Sequence, residues 1–262
     1  MNSGPLFDVT GKTVVVTGGS RGIGRMIAEG FVRAGATVII SSRKADACAV
    51  AAEELTAVGP GTCLAHPANL STAEGVDSLV AQVKEVTPQL NVLVNNAGAT
   101  WGAPIDEFPD SGFDKIFDIN VKGVFSVTQK LLPRLRAAAT DGDPARVINI
   151  GSVEGIVVSA TDNFSYGASK AAVHMLTRKM AATLAPQCVT VNAIAPGPFP
   201  SKMMSYFLDD PESRKAVEGS VPLGRVGTPE DVAGTAIFLS SRAGAYLTGT
   251  VIPVDGGISG TR

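Results

Sequence analysis

The sequence predicts an α/β protein, a single doubly wound, Rossmann-like domain with a mainly parallel seven-stranded sheet and helices on both faces. Three observations carry this. Short β-branched runs with no polar interior, such as Thr13-Val-Val-Val-Thr17, alternate with helical stretches along nearly the whole chain. The first of these runs leads straight into a glycine-rich turn that opens a helix. The 262 residues show no composition break, internal repeat or low-complexity tract, so 1–262 reads as one dinucleotide-binding and catalytic domain.

The first helix carries Ile27, Ala28 and Phe31 on one face and is closed by Gly35. In the turn before it, Gly18 permits a tight bend, Gly22 lets backbone approach a pyrophosphate, and Gly24 lets helix and strand pack closely. The helix N-terminus adds free N–H groups and a positive dipole, so Gly18, Ser20, Arg21, Gly22, Ile23 and Gly24 are candidate cofactor contacts. The second strand, 38–42, ends about 20 residues beyond the turn, where an NAD site places an acid for the ribose 2′-OH. Ser42, Arg43 and Lys44 stand there instead. With Arg21 they offer donors and charge for a 2′-phosphate, so the expected cofactor is NADP(H).

The alternation continues with a helix at 45–58, a weaker strand at 62–65, and an amphipathic helix at 72–86. A buried strand at 92–94 runs into Asn95-Asn96-Ala97-Gly98, and 113–135 reads as one long helix. The fifth strand, 147–150, ends at Gly151-Ser152. The next helix bears Tyr166 and an apolar stripe of Ala171, Ala172, Met175, Leu176 and Met180, and stops at Pro186. A sixth strand at 189–195, a helix at 229–239 with Pro229 at its first position, and a last strand at 251–254 complete the pattern. Two stretches break the rhythm. One is 99–109, with Trp101, Ile105 and Phe108; the other is 196–226, with Phe199, Met203, Met204, Phe207 and Leu208. Both follow strand C-termini, where open α/β sheets bind ligands, and 196–226 is the expected substrate loop. Packing satellites are the alternative for these apolar residues.

Tyr166 and Lys170 stand at i, i+4, one turn apart on the same helix face. A phenol ionises near pH 10, and an adjacent ammonium favours the phenolate. A drop of roughly three units, about 4 kcal/mol, would make the tyrosine a working acid–base at neutral pH.

Net charge is −2 with a pI of about 5.7, and no basic run points to nucleic acid or an anionic membrane. The three cysteines, Cys48, Cys63 and Cys188, form no Cys-x-x-Cys pair and fit a reducing compartment. His66 and His174 are too isolated for a zinc site and read as satisfied structural histidines, so no metal is expected. No apolar run reaches the roughly 18 residues that span a membrane, and residues 1–12 do not resemble a signal peptide. A cytoplasmic location is expected.

Taken in order, Thr17-Gly18-x-x-x-Gly22-x-Gly24, Asn95-Asn96-Ala97-Gly98, Asn120, Ser152, Tyr166-x-x-x-Lys170 and Pro196-Gly197 resemble the short-chain dehydrogenase/reductase family over nearly the full chain. The resemblance implies a tetrad of Asn120, Ser152, Tyr166 and Lys170. Tyr166 would protonate the substrate oxygen as hydride arrives. Ser152 would orient that oxygen. Lys170 would lower the Tyr166 pKa and hold the nicotinamide ribose, and Asn120 would anchor a water feeding Lys170. Donors aimed at an oxygen gaining negative charge make sense on physical grounds alone. The resemblance also implies cofactor contacts at Asn69, Leu70, Asn96, Ala97, Gly98, Tyr166, Lys170, Pro196, Gly197, Phe199 and Ser201. Asn69 stands where many relatives have Asp, and its amide oxygen can still accept a hydrogen bond. Ser152 and Tyr166 are 14 residues apart, slightly wider than the common family spacing.

Pro222-Leu223-Gly224-Arg225, Thr228-Pro229-Glu230-Asp231 and Val254-Asp255-Gly256-Gly257 are similar to the β-ketoacyl-carrier-protein reductases. Residues 149–152, 162–166 and 199–201 resemble their rhamnolipid-type branch. The implied reaction is reduction of a 3-oxoacyl thioester or hydrophobic ketone. Where that group uses basic residues to dock an acidic carrier protein, this chain has Asp143 and Gln187. That favours a coenzyme A thioester or free ketone, unless Arg134, Arg136 or Arg146 substitute. A homotetramer or homodimer is implied by resemblance alone. The competing readings are an NAD-linked alcohol or sugar dehydrogenase and a non-catalytic cofactor sensor.

Overall fold

In chain order the elements are β1 (Thr13–Thr17), α1 (Gly22–Arg33), β2 (Thr37–Ser41), α2 (Ala45–Thr56), β3 (Thr62–Ala65), α3 (Ala73–Val86) and β4 (Val92–Asn95). Then come α4 (Asp110–Phe117), α5 (Gly123–Ala138), β5 (Ala145–Ile150), α6 (Phe164–Leu184) and β6 (Val189–Pro196). The chain closes with α7 (Ser205–Leu208), α8 (Pro211–Ser220), α9 (Pro229–Ser240) and β7 (Val251–Val254). The computed structural model describes residues 5–261; residues 1–4 and 262, within the expected domain span of 1–262, lie outside the described residues.

The seven strands form one sheet in the order β3-β2-β1-β4-β5-β6-β7, with every neighbouring pair parallel. Side chains alternate across each strand, so Val14, Val16 and Ile40 face one layer and Val15 and Ile39 the other. The first layer packs Ile27, Phe31, Leu55, Val232 and Leu239 from α1, α2 and α9. The second packs Leu79, Leu131, Leu135, Ala181 and Leu184 from α3, α5 and α6. Strands buried on both faces need no polar face, which is why Val and Ile recur on both sides of β1, β2, β5 and β6.

The structure corrects the sequence reading at several points. The long helix begins at Asp110 and is interrupted by a π-turn over Asp118–Lys122, with Asn120 at its centre. Such turns shift the helical register by a residue and are frequent at functional sites. The 196–226 stretch holds α7 and α8; Asp210 caps α8 by accepting from the Ser213 N–H at 2.8 Å, with Pro211 at the first helical position. Helix α6 buries only part of the expected apolar stripe: Met180 is buried and Leu176 packs against the core, but Ala171 and Met175 are exposed. It buries Ser169, Lys170, Val173, His174, Thr177, Met180, Ala181 and Leu184, and Met175 is 62% exposed. The histidines are not fully satisfied, since Nε2 of both His66 and His174 lacks a partner among the described residues. Burial pushes both imidazoles down, toward the neutral form. No helix among the described residues is long and apolar enough to cross a membrane.

Candidate active site

Strand order reverses between β1 and β4, and the glycine turn lies at that switch point. Gly18 has φ +67°, and a Cβ there would stand 2.8 Å from Asn96 Nδ2 and 3.0 Å from the Ala97 Cα. A Cβ on Gly24 would come within 2.3 Å of the same Asn96 nitrogen. Side chains at these positions would fill the cradle. No side chain caps α1, so its first N–H groups are left for an outside acceptor. The turn therefore fits the phosphates of a dinucleotide. The Gly19 N–H donates to the Ser41 carbonyl at 3.1 Å, tying the turn to the end of β2. Arg21 and Arg43 are both exposed, and neither forms an ion pair among the described residues.

Asn96 anchors the cradle rather than presenting its amide to a ligand. Its Nδ2 donates to the Thr17 carbonyl at 2.9 Å and the Gly18 carbonyl at 3.2 Å. The Thr17 hydroxyl in turn accepts the Asn96 and Ala97 N–H groups at 2.9 and 3.0 Å. Gly98 is exposed, and a Cβ on it would lie 3.1 Å from Asn120 Oδ1 and 3.7 Å from Lys170 Nζ.

The structure brings Asn120, Ser152, Tyr166 and Lys170 together. The π-turn aims the Asn120 amide at the loop after β4, where it accepts from the Ala99 N–H at 2.9 Å and donates to the Ala99 carbonyl at 3.0 Å. Its Nδ2 also donates to Ser169 Oγ at 2.9 Å, and that hydroxyl donates to the Tyr166 carbonyl at 2.7 Å. Asn120 thus links the loop to the helix bearing Tyr166 and Lys170, with its side chain engaged by protein. Ser152 lies two residues beyond β5 and caps the short turn Val153–Gly155 by accepting from the Glu154 N–H at 3.1 Å. Lys170 Nζ donates to the Ile150 carbonyl at 2.8 Å and sits 5.4 Å from the Tyr166 ring centroid.

The electrostatics run opposite to the sequence expectation. Burial raises the Tyr166 phenol to about 12, with the Ser152 hydroxyl pulling it down and the Glu154 charge pushing it further up. Burial lowers the Lys170 ammonium to about 8, opposed by Glu154. Desolvation is the largest cause of each shift, so the phenol is not made acidic here. The phenol stays protonated at neutral pH.

The remaining expected cofactor residues divide by environment. Pro196 ends β6, and Gly197 follows where a Cβ would meet the Asp255 Cα at 2.8 Å. Ser201 lies over the glycine turn, with its Cβ 3.3 Å from where a Gly22 Cβ would be. Ile23, Ser20 and Ser42 are half-buried around the same turn. Phe199 turns its ring into the core beneath Gly227, and Leu70 is buried in the opposite layer, so only their backbones remain for a ligand. Asn69 is exposed, its Oδ1 accepts from the Ser71 hydroxyl at 2.9 Å, and its Nδ2 donates to no partner among the described residues. Arg146 cannot serve on the surface; it is 1% exposed and donates to the Leu239 and Ser241 carbonyls, both at 3.0 Å.

The sequence reading missed a buried polar chain beneath the site. Asn95 Nδ2 donates to Thr128 Oγ1 and Asn149 Oδ1, both at 2.9 Å, and Asn149 Nδ2 donates to Thr177 Oγ1 at 2.9 Å. Asparagines near the C-terminal ends of otherwise apolar strands were the available signal. The chain pins β4, β5, α5 and α6 at one depth, which fixes Ser152 against Tyr166.

The sequence family described as enoyl-(acyl carrier protein) reductase matches residues 9–259. The rhamnolipids biosynthesis 3-oxoacyl-[acyl-carrier-protein] reductase of Pseudomonas aeruginosa is 49% identical over 253 residues, covering 97% of this chain and 98% of that protein. This chain belongs to the short-chain dehydrogenase/reductase family. As such it is an oxidoreductase. Another member, the 5-keto-D-gluconate 5-reductase of Escherichia coli K12, is 34% identical, covering 97% of both chains. Among solved structures of the family, the Pseudomonas aeruginosa RhlG/NADP active-site complex superposes with a TM-score of 0.95. It is 48% identical, covering 98% of this chain and 99% of that one.

Proposed function

We propose that the protein is an NADPH-dependent reductase of a neutral carbonyl, a 3-oxoacyl thioester or a hydrophobic ketone, with Tyr166 as the proton donor. The carrying observation is the Tyr166 phenol, held protonated by burial beside the Ser152 hydroxyl at the C-terminal end of the sheet. A protonated phenol is the acid a reduction needs, because the carbonyl oxygen gains negative charge as it becomes a hydroxyl. The bound nicotinamide supplies the hydride. Ser152 orients the substrate oxygen, and Lys170, near Gly98 and Tyr166, holds positive charge beside the ribose side of the site.

The relatives support this reading. One at 49% identity is named a 3-oxoacyl-carrier-protein reductase, and the superposed RhlG structure is an NADP complex. Exposed Ile105, Ile156, Val158, Met203 and Tyr206 lie in segments that follow strand C-termini, an apolar rim suited to an acyl chain. The expected basic docking positions, Asp143 and Gln187, carry no cation; Arg136 is beside Gln187, donating to its Oε1 at 2.6 Å. The exchanged charges favour coenzyme A thioesters, while Arg136 at Gln187 supplies a cation suited to a carrier-protein thioester. Exposed Phe125 on α5 and Met175 on α6 support pairing of those helices with a second copy, in a homodimer or homotetramer.

Absorbance at the nicotinamide band with acetoacetyl-coenzyme A tests the reading. The expected result is oxidation of NADPH and little of NADH; absence of turnover with any 3-oxo compound would overturn it. Alcohol or sugar oxidation with NAD alone would favour the dehydrogenase reading. Replacing Arg21 and Arg43 together by Ala is expected to raise the KM for NADPH about a hundredfold, as for loss of two charge-assisted contacts, and that for NADH hardly at all. Equal effects on both cofactors would remove these residues from 2′-phosphate recognition.

A further inference from the structure

Glu154 lies two residues beyond Ser152, half-buried in the short turn that follows β5. Its Oε2 accepts from Asn163 Nδ2 at 2.7 Å and from Ser159 Oγ at 3.1 Å. Asn163 is the residue before α6, and its carbonyl accepts the Tyr166 N–H at 2.8 Å. The other carboxylate oxygen of Glu154 accepts no hydrogen bond among the described residues, and the residue forms no ion pair there. We propose that Glu154 is a specificity-determining residue, tying loop 156–163 to the start of α6 and holding a negative charge beside the carbonyl site, so that neutral 3-oxo thioesters, esters and ketones are accepted and 3-oxo carboxylates are rejected. The inference rests on the reductase reading above and names the substrate class that the site takes.

Charge is what distinguishes Glu154 from a purely structural latch. Its carboxylate acts on both Tyr166 and Lys170, favouring the protonated form of each. Of the other described titratable groups facing this corner, Lys170 carries the opposite charge, on the ribose side of Tyr166. His174, packed against Gly155, is pushed toward neutrality by burial and by the Lys170 and Arg178 charges. The Lys170 ammonium is directed to the Ile150 carbonyl, and Asp162, at the far end of the loop, is exposed and carries the same sign as Glu154. A substrate carboxylate close to the reacting carbonyl would meet Glu154 at low dielectric, where like charges repel most strongly.

The test compares ethyl acetoacetate with acetoacetate, which differ in that charge, using the full chain and NADPH. The wild type is expected to prefer the ester in kcat/KM. Glu154→Gln is expected to narrow that preference about tenfold and to move the pH profile of ester reduction to lower pH, because the charge that favours protonated Tyr166 and Lys170 is gone. Glu154→Asp, which keeps the charge, should retain the wild-type profile. Should the Gln variant fold poorly, Ser159→Ala with Asn163→Ala removes the latch and keeps the charge, and must leave the ester preference intact. An unchanged preference and profile in Glu154→Gln, or a lost preference in the double variant, would overturn the inference alone. No turnover of either compound by the wild type would overturn the reductase reading and this inference with it.

Discussion

Replacing Tyr166 by Phe is expected to lower kcat/KM for carbonyl reduction about a thousandfold, within the range for loss of a positioned general acid. The change removes one oxygen and keeps the ring, so the packing that holds α6 is preserved. The hydroxyl lies beside Ser152 and remains protonated far above neutral pH. Ser152 can still orient a substrate oxygen but loses the partner that delivers the proton. Cofactor affinity is expected to hold, since the glycine turn and the Asn96 anchor are untouched. Steady-state kinetics together with NADPH binding by fluorescence would check both halves. Full activity in Tyr166→Phe would take the phenol out of the reaction.

What the sequence disclosed and what it hid follow from how local each signal is. The strand runs, the glycine turn and the Tyr166–Lys170 spacing are legible because each depends on backbone period over a few residues. The direction of the Tyr166 and Lys170 shifts was not legible, because a tyrosine–lysine pair one turn apart gives opposite answers in water and in a buried pocket. The face of α6 was misread for a related reason. Counting apolar residues assumes that what is buried is apolar, yet this helix buries Ser169 and Thr177, each with hydrogen-bond partners, and presents Met175 outward. Phe199 looked like a loop aromatic because only the folded chain brings its ring beneath Gly227. Glu154 carried no signal at all. A lone carboxylate after a strand reads as a solvated charge until the loop returns Ser159 and Asn163 to it.

Lys170→Met is expected to abolish most activity and yet to raise stability at pH 7. The ammonium is 5% exposed, and its pKa falls from 10.5 to about 8 in the folded chain. Below pH 8 both folded and unfolded chains hold this proton, and the folded state bears the whole desolvation penalty, about 3 kcal/mol. Methionine fills similar volume without charge but leaves the Ile150 carbonyl unpaired, which costs about 1–2 kcal/mol. The net gain is therefore about 1–2 kcal/mol at pH 7. Between pH 8 and 10.5 the folded chain has released the proton while the unfolded chain still binds it, so the wild type gains stability as pH rises through that window. The advantage of the variant should shrink accordingly and reverse by about pH 10, where only the unpaired carbonyl remains. Denaturant melts of both proteins at pH 7 and pH 10 measure this directly. A variant less stable than wild type at pH 7, or an advantage that does not shrink with pH, would mean that Lys170 is stabilised by its surroundings rather than held there at a cost. Held at a cost, the lysine would be the clearest sign that this position is kept for chemistry.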